Sequence, residues 1–182
     1  LVMPTVTQAD TKVRNADGSE EDLPVYKMHL MSTEDGNVPM HFTSSWEPTV
    51  LKTESDRPGF KGWYRNPDRA VKESVAIAYK DEVSEWRALR PDFLFFGTNY
   101  DGTVAVDLVD PHGHHLSDAL PKLRGLADFA EQFGDSFRRI ESVAETGGVL
   151  RVLDITKPRV RAAIRDAQSA KALYESDFAS DY

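Results

Sequence analysis

The chain has 182 residues, a formal net charge of −8 and no cysteine, which excludes disulfides and thiolate metal sites and opposes a protein that grips nucleic acid by charge alone. Its hydrophobic content of 40%, with three Trp, nine Phe and six Tyr, suits one packed domain, and no apolar run approaches membrane-spanning length. Leu1-Val2-Met3-Pro4 has neither the basic region nor the apolar core of a signal peptide, so a cytoplasmic location is expected, and the start at Leu in a polar, turn-rich segment reads as a domain cut from a larger polypeptide.

Residues 1–22 are polar, and Asn15 to Asp22 form an acidic turn or flexible loop. Val25 to Leu30 reads as a short strand, broken at Glu34-Asp35-Gly36-Asn37, with Val38 to Phe42 as its hairpin partner. Ser44 and Ser45 are good N-caps for a helix from Trp46 to Ser55, with Glu47 in the first turn and Pro48 tolerated there, and Asp56-Arg57-Pro58-Gly59 stops it. The stretch Gly62 to Asp68 is aromatic, basic and turn-forming.

Three strands are expected next, Ser74 to Lys80, Arg90 to Phe96 and Thr103 to Asp110, as an antiparallel run whose last pair is joined by the hairpin dipeptide Asp101-Gly102. Phe93 to Phe96 is apolar at every position, so that strand is central and covered on both faces. Ser117 or Asp118 caps an amphipathic helix in which Ala119, Leu123, Leu126, Ala127, Ala130 and Phe133 repeat at helical spacing, with Lys122 at the edge of the stripe and Gly134 at the end. Strands Phe137 to Ala144 and Val149 to Asp154 flank Gly147-Gly148, and a final helix runs from Pro158 to Tyr174. This order is mixed α/β with an antiparallel portion, an α+β mixed sheet, and it disfavours a doubly wound nucleotide fold. Neither G-x-G-x-x-G nor G-x-x-x-x-G-K-[ST] occurs.

The chemistry concentrates in two carboxylates. Asp92 opens one strand and Asp110 ends the next, and two acids converging from adjacent strands are what a hard divalent cation such as Mg²⁺ requires. Strand alternation puts Val104, Val106, Leu108 and Asp110 on one face and Asp107 and Val109 on the other. Plainer readings stand beside these. Asp92 caps its own Pro-Asp turn, Asp110 ends a strand before proline, Asp107 and Glu73 are solvated, and Glu47 answers the helix dipole. Trp63, Tyr64 and Arg65 either stack on bases and guide phosphate or simply fill the core, and Asn66-Pro67 turns the chain. His112-Gly113-His114-His115 offers imidazoles for Zn²⁺ or Ni²⁺, yet adjacent His114 and His115 cannot easily face one ion, and a polar loop that caps the following helix is the plainer alternative.

With Trp63-Tyr64-Arg65-Asn66, Pro91-Asp92-Phe93, Val109-Asp110-Pro111-His112-Gly113 and the Asp118 to Phe133 helix, the chain resembles the PD-(D/E)xK nuclease fold. More closely, it resembles the C-terminal nuclease-like domain of type III restriction subunits and related DEAD/DEAH-box helicases, over residues 44–155. The resemblance implies a restriction-endonuclease-like core at residues 44–156, an N-terminal extension at 1–43 and a C-terminal helix and tail at 157–182. It implies that Asp92 and Asp110 hold Mg²⁺, with Mn²⁺ as a substitute. In this family a lysine orients and activates the attacking water. Here His112 stands at that position in the register Asp110-Pro111-His112, and Val109 in the register Asp107-Leu108-Val109. His112 would relay a proton without carrying a permanent charge, and Lys122 on the next helix is the candidate for a migrated lysine. Members of the fold often carry a further acid on the helix before the sheet, where Glu47 lies.

The implied function is hydrolysis of DNA phosphodiesters by an endonuclease-like domain of a helicase-linked restriction or phage-defence protein. Its partners would be double-stranded DNA, an N-terminal helicase domain of the same polypeptide and a methyltransferase or specificity subunit, with ATP used only on the separate motor domain and no membrane involved. The alternative is a catalytically inactive nuclease fold that serves as a structural or DNA-positioning module. A histidine-loop zinc hydrolase is the third reading.

Overall fold

A computed structural model of the chain describes residues 11–182 other than Thr33, Thr43 and Leu116. The readings made on Leu1 to Pro4 and on the first part of the polar N-terminal segment lie outside the described residues. Two small antiparallel ribbons come first, β1 (Lys12–Arg14) with β2 (Glu20–Asp22), and β3 (Val25–Lys27) with β4 (Asn37–Pro39). The helix α1 (Trp46–Ser55) has the expected bounds. Its start is fixed reciprocally: the Ser44 N–H donates to Glu47 Oε2 at 3.1 Å while the Glu47 N–H donates to Ser44 Oγ at 3.4 Å.

The strand β5 (Phe60–Arg65) follows, then the antiparallel ribbon of β6 (Ile77–Lys80) and β7 (Trp86–Leu89), then β8 (Phe93–Thr98) and β9 (Val104–Pro111). The helix α2 (Ala119–Phe133) leads to β10 (Arg139–Thr146) and β11 (Val149–Asp154), and α3 (Pro158–Asp166), α4 (Ala170–Tyr174) and β12 (Ala179–Asp181) close the chain. One six-stranded mixed sheet has the order β12-β11-β10-β9-β8-β5. Every neighbouring pair in it is antiparallel except β9 and β10, which are parallel. Parallel neighbours need a crossover, and α2 supplies it.

Three expectations are corrected. The segment Ser74 to Lys80 does not join the main sheet. Only Ile77 and Tyr79 of its strand are buried, enough for a one-sided ribbon that leans on α2. Its place beside β8 goes to Phe60–Arg65, the edge strand of the sheet, whose part from Gly62 was expected as a turn; Gly62, Trp63 and Tyr64 are buried in succession there. The C-terminal helix is two helices broken near Ala167, whose extended backbone ends α3. The hairpin at Asp101-Gly102 is present: Gly102 takes a φ of +83°, which glycine adopts without steric cost, and its N–H donates to Asn99 O at 3.0 Å.

The sheet is covered on both faces. On one, Val50 and Leu51 of α1 and Val38 of β4 pack with Trp63, Phe93, Phe95, Val109, Val143 and Val152. On the other, α2, α3, α4 and the β6–β7 ribbon bury Leu123, Leu126, Ile164 and Tyr174 against Leu108, Ile140, Ala144 and Leu153. The segment after residue 156 thus packs into the same cluster as α2. β8 is interior and covered on both faces as expected, though it lies next to the edge strand β5, with Phe93 and Phe95 on the first face and Leu94 against the second. Gly125, in the middle of α2, allows a close approach, since a Cβ there would lie 2.4 Å from the Tyr79 Cβ.

A buried charge network ties α1 to the sheet. Glu54 is 1% exposed and accepts from Arg57 Nε at 2.9 Å, Arg139 Nη1 at 3.1 Å and the Tyr182 hydroxyl at 2.7 Å. Arg139 also reaches Asp107 at 2.7 Å and Glu141 at 3.0 Å. Asp107 was expected to be solvated. It is instead fully buried and paired with Arg138 and Arg139, because it faces the α1 side of a strand covered on both faces. Removing one partner of such a network strands the others in low dielectric. Glu54→Ala is therefore expected to lower unfolding stability by about 3–5 kcal/mol in a denaturant titration; a loss below about 1 kcal/mol, the range of exposed pairs, would show that the network does not anchor α1.

Candidate active site

The end of the sheet where β8 begins and β9 ends gathers the acids. The Asp92 N–H donates to Asp110 Oδ1 at 3.2 Å, so the start of one strand is stitched to the carboxyl group that ends the next. Asp110 lies on the α2 side, as strand alternation predicts, next to a helix that brings Lys122. The positive charge of Lys122 is felt by both Asp92 and Asp110, and its Nζ is held by Asp118 at 2.7 Å. The four residues expected at the site, Asp92, Asp110, His112 and Lys122, are thus brought to one end of the sheet.

Two further charged groups join them. Glu47, read from the sequence as a helix-dipole partner, is buried and ion-paired with Arg65, and its negative charge reaches Asp92. Arg65 bridges the two, with Nη1 2.6 Å from Asp92 Oδ1 and Nη2 against Glu47. Its guanidinium lies 5.0 Å from the Phe93 ring centre, and its backbone N–H donates to His29 Nε2 at 3.0 Å. Burial lowers the pKa of His29 to about 4, so it is neutral and free to accept that bond.

The two central carboxyl groups are both pushed up, in each case chiefly by burial. Burial raises Asp92, the Arg65 charge pulls back against this, and Glu47 adds to the rise. Burial also raises Asp110, to about 8, and the neighbouring Asp92 raises it further; the N–H of Asp92 and the charges of Lys122 and Arg65 oppose without cancelling. Among the described residues no lysine or arginine makes an ion pair with Asp110. Behind Asp110, the Ser142 hydroxyl donates to its carbonyl at 3.3 Å and accepts from the Tyr174 hydroxyl at 2.8 Å, which fixes the backbone that carries the acid.

His112 sits beside Lys122 and Asp118, with Nε2 3.7 Å from Asp118 Oδ1. Burial, then the nearby Lys122 charge, lowers its pKa to about 4. It therefore stands as a neutral imidazole at ordinary pH and cannot replace a lysine's charge. His114 and His115 do not converge: their rings meet edge to face at 6.0 Å, and His115 is exposed. Among the described residues no group of three or more His, Asp or Glu is placed to hold a metal ion, either in this loop or at Asp92 and Asp110. Of the two readings of Trp63 and Tyr64, the structure bears out the core one. Trp63 is 1% exposed with its indole N–H donating to Lys27 O at 2.8 Å, and the Tyr64 hydroxyl donates to Glu73 O at 2.9 Å. Glu73 itself is exposed, as expected.

Arg65, Ser142 and Tyr174 were not singled out for these roles by sequence. Arg65 lies in a strand that was expected to be a turn. Ser142, a small polar residue that shares a strand face with Ile140 and Ala144, was the one available signal for the support behind Asp110.

The folded state binds a proton at Asp110 that the unfolded chain, with an ordinary carboxyl pKa near 3.8, releases earlier. Between those two values stability falls as pH rises. Wild type is expected to lose more than about 1 kcal/mol relative to Asp110→Asn between pH 5 and pH 8, read from denaturant midpoints without divalent cations. Parallel pH profiles for the two proteins would refute the raised carboxyl.

A model of the YagJ family matches residues 27–182. Protein YagJ of Escherichia coli (strain K12) is 48% identical over 182 residues, covering 100% of this chain and 73% of that protein. No solved structure gives a significant match. Among the described residues no helix is long and apolar enough to cross a membrane.

Proposed function

The chain belongs to the YagJ family, and from its own geometry we propose that it is a metal-dependent phosphodiesterase that cuts DNA, built on a restriction-endonuclease-like core. The observation that carries this reading is the stitching of Asp92 to Asp110 at one sheet end, with Lys122 brought alongside by the crossover helix. The order α1, β5, β8, β9, α2, β10, with an antiparallel meander and one parallel crossover, supports the PD-(D/E)xK assignment. The helicase-linked setting, with a motor domain that uses ATP, is carried by the sequence resemblance alone.

The donor set suits a hard cation. Asp92 and Asp110 offer carboxylate oxygens, and Asp110 is a buried acid beside another acid with no ion-pair partner among the described residues, a repulsion that a divalent ion relieves. Asp92 and Asp110 would hold Mg²⁺, or Mn²⁺ in its place, which would supply Lewis acidity and lower the pKa of a bound water. Lys122, oriented by Asp118, faces the negative charge that develops on the phosphate oxygens. His112, neutral and part-buried, accepts or passes a proton.

A second reading, an inactive DNA-positioning module, is favoured by Arg65. Its guanidinium already neutralises Asp92 and Glu47, as a cation would. Nicking of supercoiled plasmid in Mn²⁺ separates the two. An active site predicts cleavage by the wild type that drops at least about a hundredfold in Asp92→Asn and in Asp110→Asn, and roughly tenfold or more in Lys122→Ala, with folds intact by circular dichroism. Equal traces of nicking in all four proteins would leave the inactive module.

A further inference from the structure

Beside Asp92 lies a cation that the site described above does not use. Among the described residues Arg90 makes no ion pair, and its Nε is buried without a hydrogen-bond partner. A buried N–H without an acceptor is costly, and in a chain of net charge −8, where most buried arginine groups are matched to carboxylates or carbonyls, it stands out. Arg90 borders an open hollow of about 780 Å³ whose other walls include Val71, Lys72, Glu73 and Ser74. Lys72 is exposed and likewise makes no ion pair among the described residues; Glu73 contributes a carboxylate to the same rim.

The wall opposite Arg90 is built rather than loose. Residues 66–76 are largely without regular secondary structure, yet Asn66 clamps them: its side chain donates to Val75 O at 2.9 Å and accepts from Val75 N at 2.8 Å. The Asn66 N–H in turn donates to Asp92 O at 2.9 Å, and the Tyr64 hydroxyl holds Glu73 O. The same asparagine therefore fixes both the hollow and the strand start that carries Asp92.

We propose that Arg90 and Lys72 form a phosphate-binding subsite that receives a backbone phosphate of the nucleic acid strand next to the one at Asp92 and Asp110. A guanidinium presents forked N–H groups that match phosphate oxygens, and Arg90 lines the hollow with no carboxylate paired to it among the described residues. Arg90 precedes a proline, which disfavours the helical region, and it stands two positions before Asp92. The identity of the ligand rests on the phosphodiesterase reading, whereas the unpaired cation and its hollow do not.

The test is fluorescence anisotropy of a labelled 20-base-pair duplex with the full chain in EDTA, where no cleavage occurs. Wild type is expected to bind at low salt, Arg90→Gln to bind roughly tenfold more weakly with a salt slope reduced by about 1, and Lys72→Gln to weaken binding in the same direction. Arg90→Lys, which keeps the charge but loses the fork, is expected to fall between wild type and Arg90→Gln. Lys61→Gln, at the far end of β5 from Arg65, removes an equal charge and should bind as wild type does. Absence of binding by the wild type, or wild-type affinity in both Arg90→Gln and Lys72→Gln with unchanged melting temperatures, would overturn the subsite. Because this readout needs no metal and no turnover, Arg90-dependent binding by a protein that never cleaves would contradict the phosphodiesterase alone, and cleavage with Arg90-independent binding would contradict the subsite alone.

Discussion

β9 carries two buried carboxylates three residues apart on opposite faces of the sheet, and the molecule treats them in opposite ways. Asp107, facing α1, is desolvated, but Arg138 and Arg139 more than offset this and hold its carboxyl below the usual range. Asp110, facing α2, is equally removed from water and has another acid for a neighbour, so it is held above that range. Burying a charge without a counter-charge is among the costliest things a fold can do. A strand that solves the problem at one position and leaves it standing at the other places an unmet demand for positive charge at one end of the sheet.

The rest of the architecture delivers groups to that end. The antiparallel pairing of β8 with β9 sets Asp92 against Asp110, and the crossover from β9 to β10 lays α2 over the same edge, with Lys122 and Asp118 in its first turns. From behind, Tyr174 and Ser142 brace the Asp110 backbone. From the other side, α1 and β5 bring Glu47 and Arg65. The site is thus supplied by elements spread over most of the chain, while the Glu54 and Arg139 network on the α1 face performs the structural task of holding α1 in place. Arg65 is the group on which the functional reading turns: it satisfies Asp92 and Glu47 and leaves Asp110 to a proton or a metal.

Much of this was legible where one physical signal dominated. The bounds of α1 followed from paired serines and a Pro-Gly stop, the interior place of β8 from its unbroken apolar run, and the face of Asp110 from simple alternation. Misreadings arose where tertiary packing outweighed local pattern. Gly62-Trp63-Tyr64 resembled a turn because glycine and proline bracket it, yet its aromatic bulk is buried between α1 and the sheet. Asp107 looked solvated because its partners, Arg138 and Arg139, lie 31 and 32 residues away in sequence, and no local spacing announces such a network. Glu47 was placed correctly on the helix, but its partner Arg65 was hidden in a strand that had been read as a turn.

The claim at the centre is that Asp92 and Asp110 form one divalent-cation site. Calorimetric titration of the full chain with Mn²⁺, beside Asp92→Asn and Asp110→Asn, addresses it without requiring turnover or DNA. The account predicts a single site in the wild type that is lost in both variants. Heat of binding that persists unchanged in both variants, or no binding in the wild type, would contradict it.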